Sequence, residues 1–120
     1  MQKIKTLTVR FYQSDSGREP VKEWLKALSR EDMKMIGEDI KTVEFGWPLG
    51  MPLVRKMDKN LWEIRLDITN REIARIFFTV RDSLMILLHG FKKKSQQTPL
   101  NELNIAKERR DRVLSGKEIS

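Results

Sequence analysis

The candidate chemistry lies in cations of the second half of the chain, and five of them are predicted to be catalytic: Arg65, Arg75, His89, Lys93 and Lys94. RNA contains its own nucleophile, the 2′-hydroxyl, so a protein that cleaves RNA must supply positioning, charge stabilisation and proton transfer. Arginines can stabilise the charge that develops on the phosphorane. A lysine crowded by other cations has a lowered pKa and can act as the base, while a histidine or lysine can protonate the leaving 5′-oxygen. This inventory permits RNA cleavage without a metal, and it also permits a basic nucleic-acid-binding surface without turnover.

Other reaction classes lack the residues that they need. The chain has no cysteine and a single histidine, which excludes thiolate chemistry, disulfides and two-histidine RNA cleavage and argues against a histidine-based metal site. Ser83 and Ser95 lack the Gly-x-Ser-x-Gly context of a serine nucleophile. Glu63 and Asp67 could bind a metal, but their arginine neighbours argue against it. We expect no metal and no cofactor.

The overall charge favours an anionic partner. The formal net charge is +7 and the isoelectric point is near 9.9. Nucleic acid is the commonest partner of such a protein, because cations that neutralise phosphates release counterions; simple solubility is the alternative. Further basic residues are predicted to bind RNA: Arg55, Lys56, Lys59, Lys92, Arg109 and Arg110.

A predicted β-hairpin positions the two arginines. Residues 61–68 and 72–80 both alternate between apolar and polar positions, and residues 69–71 form the turn. A one-residue slip inverts a strand, so the two apolar faces point to the same side only if the turn has an odd number of residues. The resulting register sets Trp62 opposite Phe78, Ile64 opposite Ile76, and Arg65 opposite Arg75.

Two arginines that face one another are unexpected, because like charges directly opposite destabilise a sheet. One explanation is an anion bound between or over Arg65 and Arg75. The other is that Glu63 and Asp67, which share the polar face, neutralise Arg65. Both explanations stay open at this point.

A third strand follows the hairpin and leads into the lysines. Residues 84–88 are an uninterrupted apolar run, which continues into His89 and then into Lys92, Lys93 and Lys94. The run is too short to cross a membrane and suits a strand that is buried on both faces. The number of residues in the turn at 81–82 does not securely determine which residues of this strand face which side of the sheet, so the face on which His89 lies stays open.

The remaining segments predict three helices and two further strands. Residues 4–12 read as a first strand and residues 53–57 as a short edge strand. A helix is expected to begin at Pro20, and a second one after the N-cap Ser29, ending at Gly46; Thr98 is the expected N-cap of the last helix and Pro99 its first residue. The predicted apolar stripes of the last two helices are Met33, Ile36, Ile40 and Val43, and Leu100, Leu103, Ala106, Val113 and Leu114.

These elements predict an α+β fold, with a helical hairpin packed on a small, mainly antiparallel sheet. We expect a single domain over residues 1–120, with a tail that frays from Ser115. The first 13 residues lack the continuous apolar core of a signal peptide, and the absence of cysteine fits the cytosol, so a cytoplasmic protein is expected.

Three segments together resemble the RelE/ParE superfamily of toxin–antitoxin toxins: LWEIR at 61–65, ARIFF at 74–78 and LLHGFKKKSQQTP at 87–99. They are most similar to the phage-derived, HigB-type branch, of which the Gly-x-x-Pro-Val-x-x-Trp-Leu segment at 17–25 is also typical. The resemblance covers roughly residues 7 to 114. It implies a RelE-like fold with a curved sheet, and a ribosome-dependent mRNA endoribonuclease, or mRNA interferase, that inhibits translation and growth.

The resemblance also implies partners and residue roles. The expected partner is a small helix-turn-helix antitoxin of the HigA type, and the complex is expected to bind operator DNA. Arg65 and Arg75 would bind phosphate or stabilise the transition state, with Lys93, Lys94 and His89 nearby. Some relatives use a C-terminal tyrosine, whereas Tyr12 is the only tyrosine here, so the proton-transfer residue stays open among His89, Lys93 and Lys94. The competing functions are a ParE-like inhibitor of DNA gyrase and a nonenzymatic nucleic-acid-binding regulator.

Overall fold

The computed structural model describes residues 4–93 and 98–116. It is an α+β fold, as predicted, with five strands and three helices in the order β1 (Thr8–Phe11), α1 (Pro20–Lys26), α2 (Arg30–Gly46), β2 (Val54–Asp58), β3 (Leu61–Asp67), β4 (Ile73–Arg81), β5 (Leu84–Lys93) and α3 (Leu100–Leu114). A 3-10 turn, Thr69–Arg71, joins β3 to β4. In the described part of the chain, no helix is both long enough and apolar enough to span a membrane.

The strands form one mixed sheet in the order β1-β5-β4-β3-β2. Only β1 runs parallel to its neighbour, β5, and the other neighbouring pairs are antiparallel. The interior strand β5, between β1 and β4, is buried on both faces from Met85 to Leu88, as its apolar run predicts. This position fixes the end of β5 relative to β3 and β4.

The sheet is covered on both faces. Helices α1 and α2 pack over one face, around a core that includes Ile36, Val43, Ile64 and Phe78. Helix α3 packs over the other face, against Phe77, Leu88 and Phe91. The face under α3 is also the face that carries the charged residues of β3.

The hairpin register is confirmed. Trp62 lies opposite Phe78, Ile64 opposite Ile76, and Arg65 opposite Arg75. The turn can have three residues because Asn70 and Arg71 adopt left-handed backbone conformations, with φ near 61° and 60°.

A β-bulge explains why parity could not place His89. The register of β4 against β5 shifts between Phe77 and Phe78, so that Phe77 pairs with His89 while Phe78 pairs with Leu87. The extra residue reverses the alternation of β5. His89 therefore lies on the α3 face of the sheet.

The predicted starts of α1 and α2 are confirmed. Pro20 is at the first position of α1, and the Ser29 hydroxyl accepts a hydrogen bond from the Asp32 amide at 3.1 Å, which caps α2. Gly90 lies beneath α1, where a Cβ atom would approach the Trp24 ring to 2.6 Å. This contact explains the glycine in the middle of a buried strand.

The first strand and the last helix differ from the prediction. Strand β1 begins at Thr8, because the amides of Thr6 and Leu7 donate to the carbonyl of Glu44 at the end of α2 instead of continuing the sheet. Helix α3 has Pro99 at the N-cap position and begins at Leu100, and the Thr98 side chain does not cap it.

The predicted apolar stripes were wrong at their ends. Met33, Leu100 and Leu114 are exposed by 41%, 69% and 40%. All three lie in the first or last turn of their helices. Of the predicted frayed tail, residues 117–120 lie outside the described residues. The backbone amide of Ser115 closes α3 by donating a hydrogen bond to the carbonyl of Asp111.

Candidate active site

Charged residues of three adjacent strands meet on the α3 face of the sheet. Alternation along β3 puts Glu63, Arg65 and Asp67 on this face. Arg75 of β4 lies opposite Arg65, and Lys93 of β5 lies opposite Ile73, two residues before Arg75. The strand register therefore brings three predicted catalytic residues together: Arg65, Arg75 and Lys93.

Arg75 is the buried centre of this cluster. Its side chain is 2% exposed, and its Nε atom lies 3.4 Å from Oε1 of Glu63, which is 1% exposed. Nη1 donates to the carbonyl of Ala74 at 3.2 Å, but Nε has no acceptor in hydrogen-bonding geometry among the described residues. Burial lowers the pKa of Arg75; Glu63 opposes this effect and Arg65 adds to it. A buried cation with an unsatisfied N–H group is unusual in a folded protein.

Glu63 links Arg75 to the start of α3. Its Oε2 atom accepts a hydrogen bond of 2.8 Å from the Thr98 hydroxyl, whose oxygen accepts one of 3.4 Å from Nζ of Lys93. The two alternatives for the arginine pair are therefore not exclusive. Glu63 does lie beside a cation of the pair, and the contact is with Arg75.

Lys93 is a perturbed lysine. Burial lowers its pKa, and the positive charges of Arg75, Arg65 and Arg55 lower it further against the opposing effect of Glu63. A lysine with a lowered pKa can exchange a proton closer to neutral pH than an ordinary lysine.

A depression of about 280 Å³ opens beside the arginines. It is lined by Arg65, Arg75, Asp67 and two residues of the loop before β2, Pro52 and Leu53. A larger groove of about 930 Å³ runs along α2, lined in part by Lys41, Phe45 and Leu49, and no predicted site residue lines it. The smaller depression is therefore the candidate site.

His89 lies apart from this cluster, under α3. Four residues separate it from Lys93, about 13 Å along an extended strand. Its Nε2 atom lies 3.3 Å from a Glu102 oxygen, and its Nδ1 atom lies 3.5 Å from Nη1 of Arg109. Burial lowers the pKa of His89, Glu102 opposes this and Arg109 adds to it. A neutral ring that donates from Nε2 and accepts at Nδ1 satisfies both neighbours.

Of the remaining predicted residues, Lys94 lies outside the described part of the chain. Arg55 is exposed on β2, opposite Glu63, at the edge of the cluster. Lys56 and Lys59 are exposed, and Lys92 lies beside Ala74, where its Nζ atom is 3.4 Å from Glu72. The pairing of Lys92 with Ala74 places it on the face opposite to Lys93.

The two predicted RNA-binding arginines of α3 make contacts within the protein. Arg109 donates to the carbonyl of Leu88 at 2.8 Å and lies over the ring of Tyr12, 5.2 Å from its centroid. Arg110 donates to Asp58 at 2.6 Å and to the carbonyl of Lys59 at 2.8 Å. These contacts attach α3 to the sheet.

Sequence reasoning missed the contribution of Thr98 and of the loop before β2. Thr98 was assigned to a helix cap because threonine before proline is a helix-start pattern, and nothing in the pattern indicates a carboxylate 35 residues earlier. Pro52 and Leu53 reach the arginines because β2 pairs with β3. The predicted edge strand at residues 53–57 was therefore the sequence feature that could have placed this loop beside the site.

The described residues contain no group of three or more histidine, cysteine, aspartate or glutamate side chains that could hold a metal ion. What the cluster offers is a set of fixed N–H donors, one lysine with a lowered pKa and a buried carboxylate. Such an arrangement can bind a phosphate and move a proton.

Comparison with known proteins places the chain in a family. The model of the family described as "Phage derived protein Gp49-like (DUF891)" matches residues 23–111, which include every residue that lines the candidate site. No curated protein matches the chain. The match covers most of the chain, including β2 to β5. The chain therefore belongs to the Gp49-like family of phage-derived proteins, a family of the RelE/ParE-like toxin superfamily, whose members are toxins of the toxin–antitoxin type.

Proposed function

We propose that the protein is an mRNA endoribonuclease that cleaves translated mRNA on the ribosome, using the 2′-hydroxyl as nucleophile and no metal ion. The observation that carries this proposal is Arg75. Its guanidinium is 2% exposed, is held with Nε 3.4 Å from Glu63, and lines the depression together with Arg65, so it is a preorganised cation for an anion. A phosphate in the depression would lie against both arginines.

The proposed roles follow from the positions of the side chains. Arg65 and Arg75 bind the non-bridging oxygens of the scissile phosphate and stabilise their charge as the phosphorane forms. Glu63 holds the Arg75 guanidinium, and Thr98 holds Glu63. Glu63 and Thr98 are thus positioning residues, whereas the two arginines contact the substrate.

Lys93 is the proposed base. In its neutral form it takes the proton of the 2′-hydroxyl, the bond from O2′ to phosphorus forms, and the bond from phosphorus to O5′ breaks. The departing 5′-oxygen takes a proton from solvent or from Lys94. The products are a 2′,3′-cyclic phosphate and a 5′-hydroxyl. His89 is not assigned to proton transfer, because both of its ring nitrogens face partners under α3.

The proposed setting is the cytoplasm, with a HigA-type helix-turn-helix antitoxin as the neutralising partner and operator DNA bound only through their complex. The net charge of +7 supports binding to ribosomal and messenger RNA. Exposed Arg55, Lys56 and Lys59 would extend the phosphate contacts beyond the depression. We also infer that residues 1–120 act as one domain.

The proposal is tested by expressing the protein in bacteria and mapping the 5′ ends of translated mRNAs. We expect growth arrest with new 5′ ends at codon-related positions, and the loss of both effects when Arg75 is replaced. Arg30→Ala is the matched control, because Arg30 is an exposed arginine at the start of α2. Intact mRNA with trapped gyrase–DNA complexes would instead support a gyrase inhibitor, and nucleic-acid binding with neither effect would support a regulator.

A further inference from the structure

The depression beside Arg75 is lined by chemically different residues. Arg65 and Arg75 are cationic, whereas Pro52 and Leu53 are apolar and Asp67 is acidic. The arginines suit a phosphate, whereas an apolar wall with one hydrogen-bond acceptor suits the base of the same nucleotide.

The size and spacing of the depression fit a single nucleotide. Its volume of about 280 Å³ lies just below the range of small-ligand pockets, about 300–1,000 Å³. Asp67 follows Arg65 by two residues on the same face of β3, which places the two about 7 Å apart along the strand. A base that rests on Pro52 and Leu53 would therefore have its edge near Asp67 while its phosphate lies at the arginines.

Asp67 is available to such a base. It is exposed at the end of β3, and its carboxylate makes no hydrogen bond or ion pair with the residues that the structure describes. Its negative charge nevertheless acts on Arg75, whose pKa it raises against the larger effect of burial. Asp67 is thus close enough to Arg75 to affect its pKa, while its carboxylate oxygens remain able to accept hydrogen bonds from a base.

An ionised carboxylate only accepts hydrogen bonds, and it has two oxygens that can accept in parallel. Guanine presents two adjacent donors on its Watson–Crick edge, the N1–H and the N2 amino group. Adenine and cytosine present one amino donor beside an acceptor, and uracil presents one N–H between two carbonyl oxygens. Guanine is therefore the base that this carboxylate matches best.

We propose that Asp67, with Pro52 and Leu53, forms a base-recognition pocket that selects guanine at the nucleotide whose 3′-phosphate lies against Arg65 and Arg75. This inference rests on the proposed function, since it assigns the specificity of the same site. Asp67 is a specificity-determining residue. If Asp67 instead only balances the charge of the arginines, its replacement affects all nucleotides equally.

Binding of mononucleotides tests the pocket without cleavage. Guanosine 3′-phosphate and adenosine 3′-phosphate are titrated into the full-length protein, with binding followed by NMR. We expect guanosine 3′-phosphate to bind about tenfold more tightly or better, because a bidentate base contact gives discrimination of this order. In Asp67→Asn the preference is lost, because the amide replaces one acceptor by a donor. The matched control is Asp82→Asn, since Asp82 is exposed in the turn between β4 and β5.

Mapping of cleavage sites separates this inference from the proposed function. If the wild-type protein cleaves after guanosine and Asp67→Asn cleaves with a shifted base preference, the pocket is supported. If Asp67→Asn cleaves with an unchanged preference, or if the two mononucleotides bind the wild type equally or not at all, the pocket is overturned. If the wild type cleaves no RNA but still prefers guanosine 3′-phosphate, the proposed function fails while the pocket stands.

Discussion

The buried pair of Arg75 and Glu63 should affect stability and activity in separable ways. Their side chains are 2% and 1% exposed, so solvent screens their interaction little. Arg75→Met removes the cation and leaves Glu63 as an uncompensated buried charge, which typically costs about 3–5 kcal/mol. A chain of this length has an unfolding entropy of about 0.25 kcal/mol/K, so we expect the melting temperature to fall by about 12–20 °C.

Adding Glu63→Gln to Arg75→Met removes the uncompensated charge. The amide oxygen can still accept the hydrogen bond of the Thr98 hydroxyl, and the replacement of a buried ion pair by uncharged groups of similar volume is often close to neutral. We expect the double variant to recover most of the lost melting temperature, as measured by circular dichroism, and to remain unable to cleave mRNA. Equal melting temperatures of the single and double variants would refute the coupling of the pair. Cleavage by the stable double variant would refute the role of Arg75.

Further predictions concern Thr98 and Lys93, which lie near this pair, and His89, which lies apart from it. Thr98→Val removes the hydrogen bond that orients Glu63, and we expect single-turnover cleavage to slow about tenfold. Thr98→Ser keeps the hydroxyl and should cleave at the wild-type rate. An unchanged rate in Thr98→Val would exclude a positioning role. Because the pKa of Lys93 is lowered, the cleavage rate should rise with pH through a value below 10.5, and Lys93→Met should abolish this rise; a persisting pH dependence in that variant would assign the base elsewhere. The folded state also binds the Lys93 proton less tightly than the unfolded state, so Lys93 makes the free energy of unfolding rise with pH between its lowered pKa and 10.5. Burial lowers the pKa of His89 below 6.5, so the free energy of unfolding should fall as pH drops below 6.5. In urea titrations, His89→Gln should reduce this dependence of stability on pH without abolishing cleavage. Loss of cleavage in a folded His89→Gln would place His89 in the reaction.

The hairpin could be predicted from sequence because it depends on local alternation. The apolar positions of β3 and β4, with a three-residue turn, determine which residues face one another, and the pairing of Arg65 with Arg75 follows from them. The same logic fails in β5, because one extra residue at the bulge next to Phe77 reverses the parity and no side-chain pattern marks it.

The candidate site was predicted in part for a related reason. Arg65 and Arg75 could be grouped because they lie opposite one another on paired strands, whereas the face of Lys93 depends on the bulge in β5. Their close partners could not, because Thr98 reaches Glu63 only through the packing of α3 on the sheet. Such contacts between distant segments depend on tertiary packing, which residue spacing does not encode.

Cleavage of RNA by the purified protein tests the central claim most directly. Ribosomes programmed with an end-labelled mRNA are incubated with the wild-type protein and with the Arg75→Met/Glu63→Gln variant, and the chemistry of the new RNA ends is determined. Cleavage by the wild type alone, leaving a 2′,3′-cyclic phosphate and a 5′-hydroxyl, is the predicted result, because the 2′-hydroxyl is the proposed nucleophile. Intact mRNA with the wild type, or fragments that carry a 5′-phosphate, would contradict the proposed mechanism.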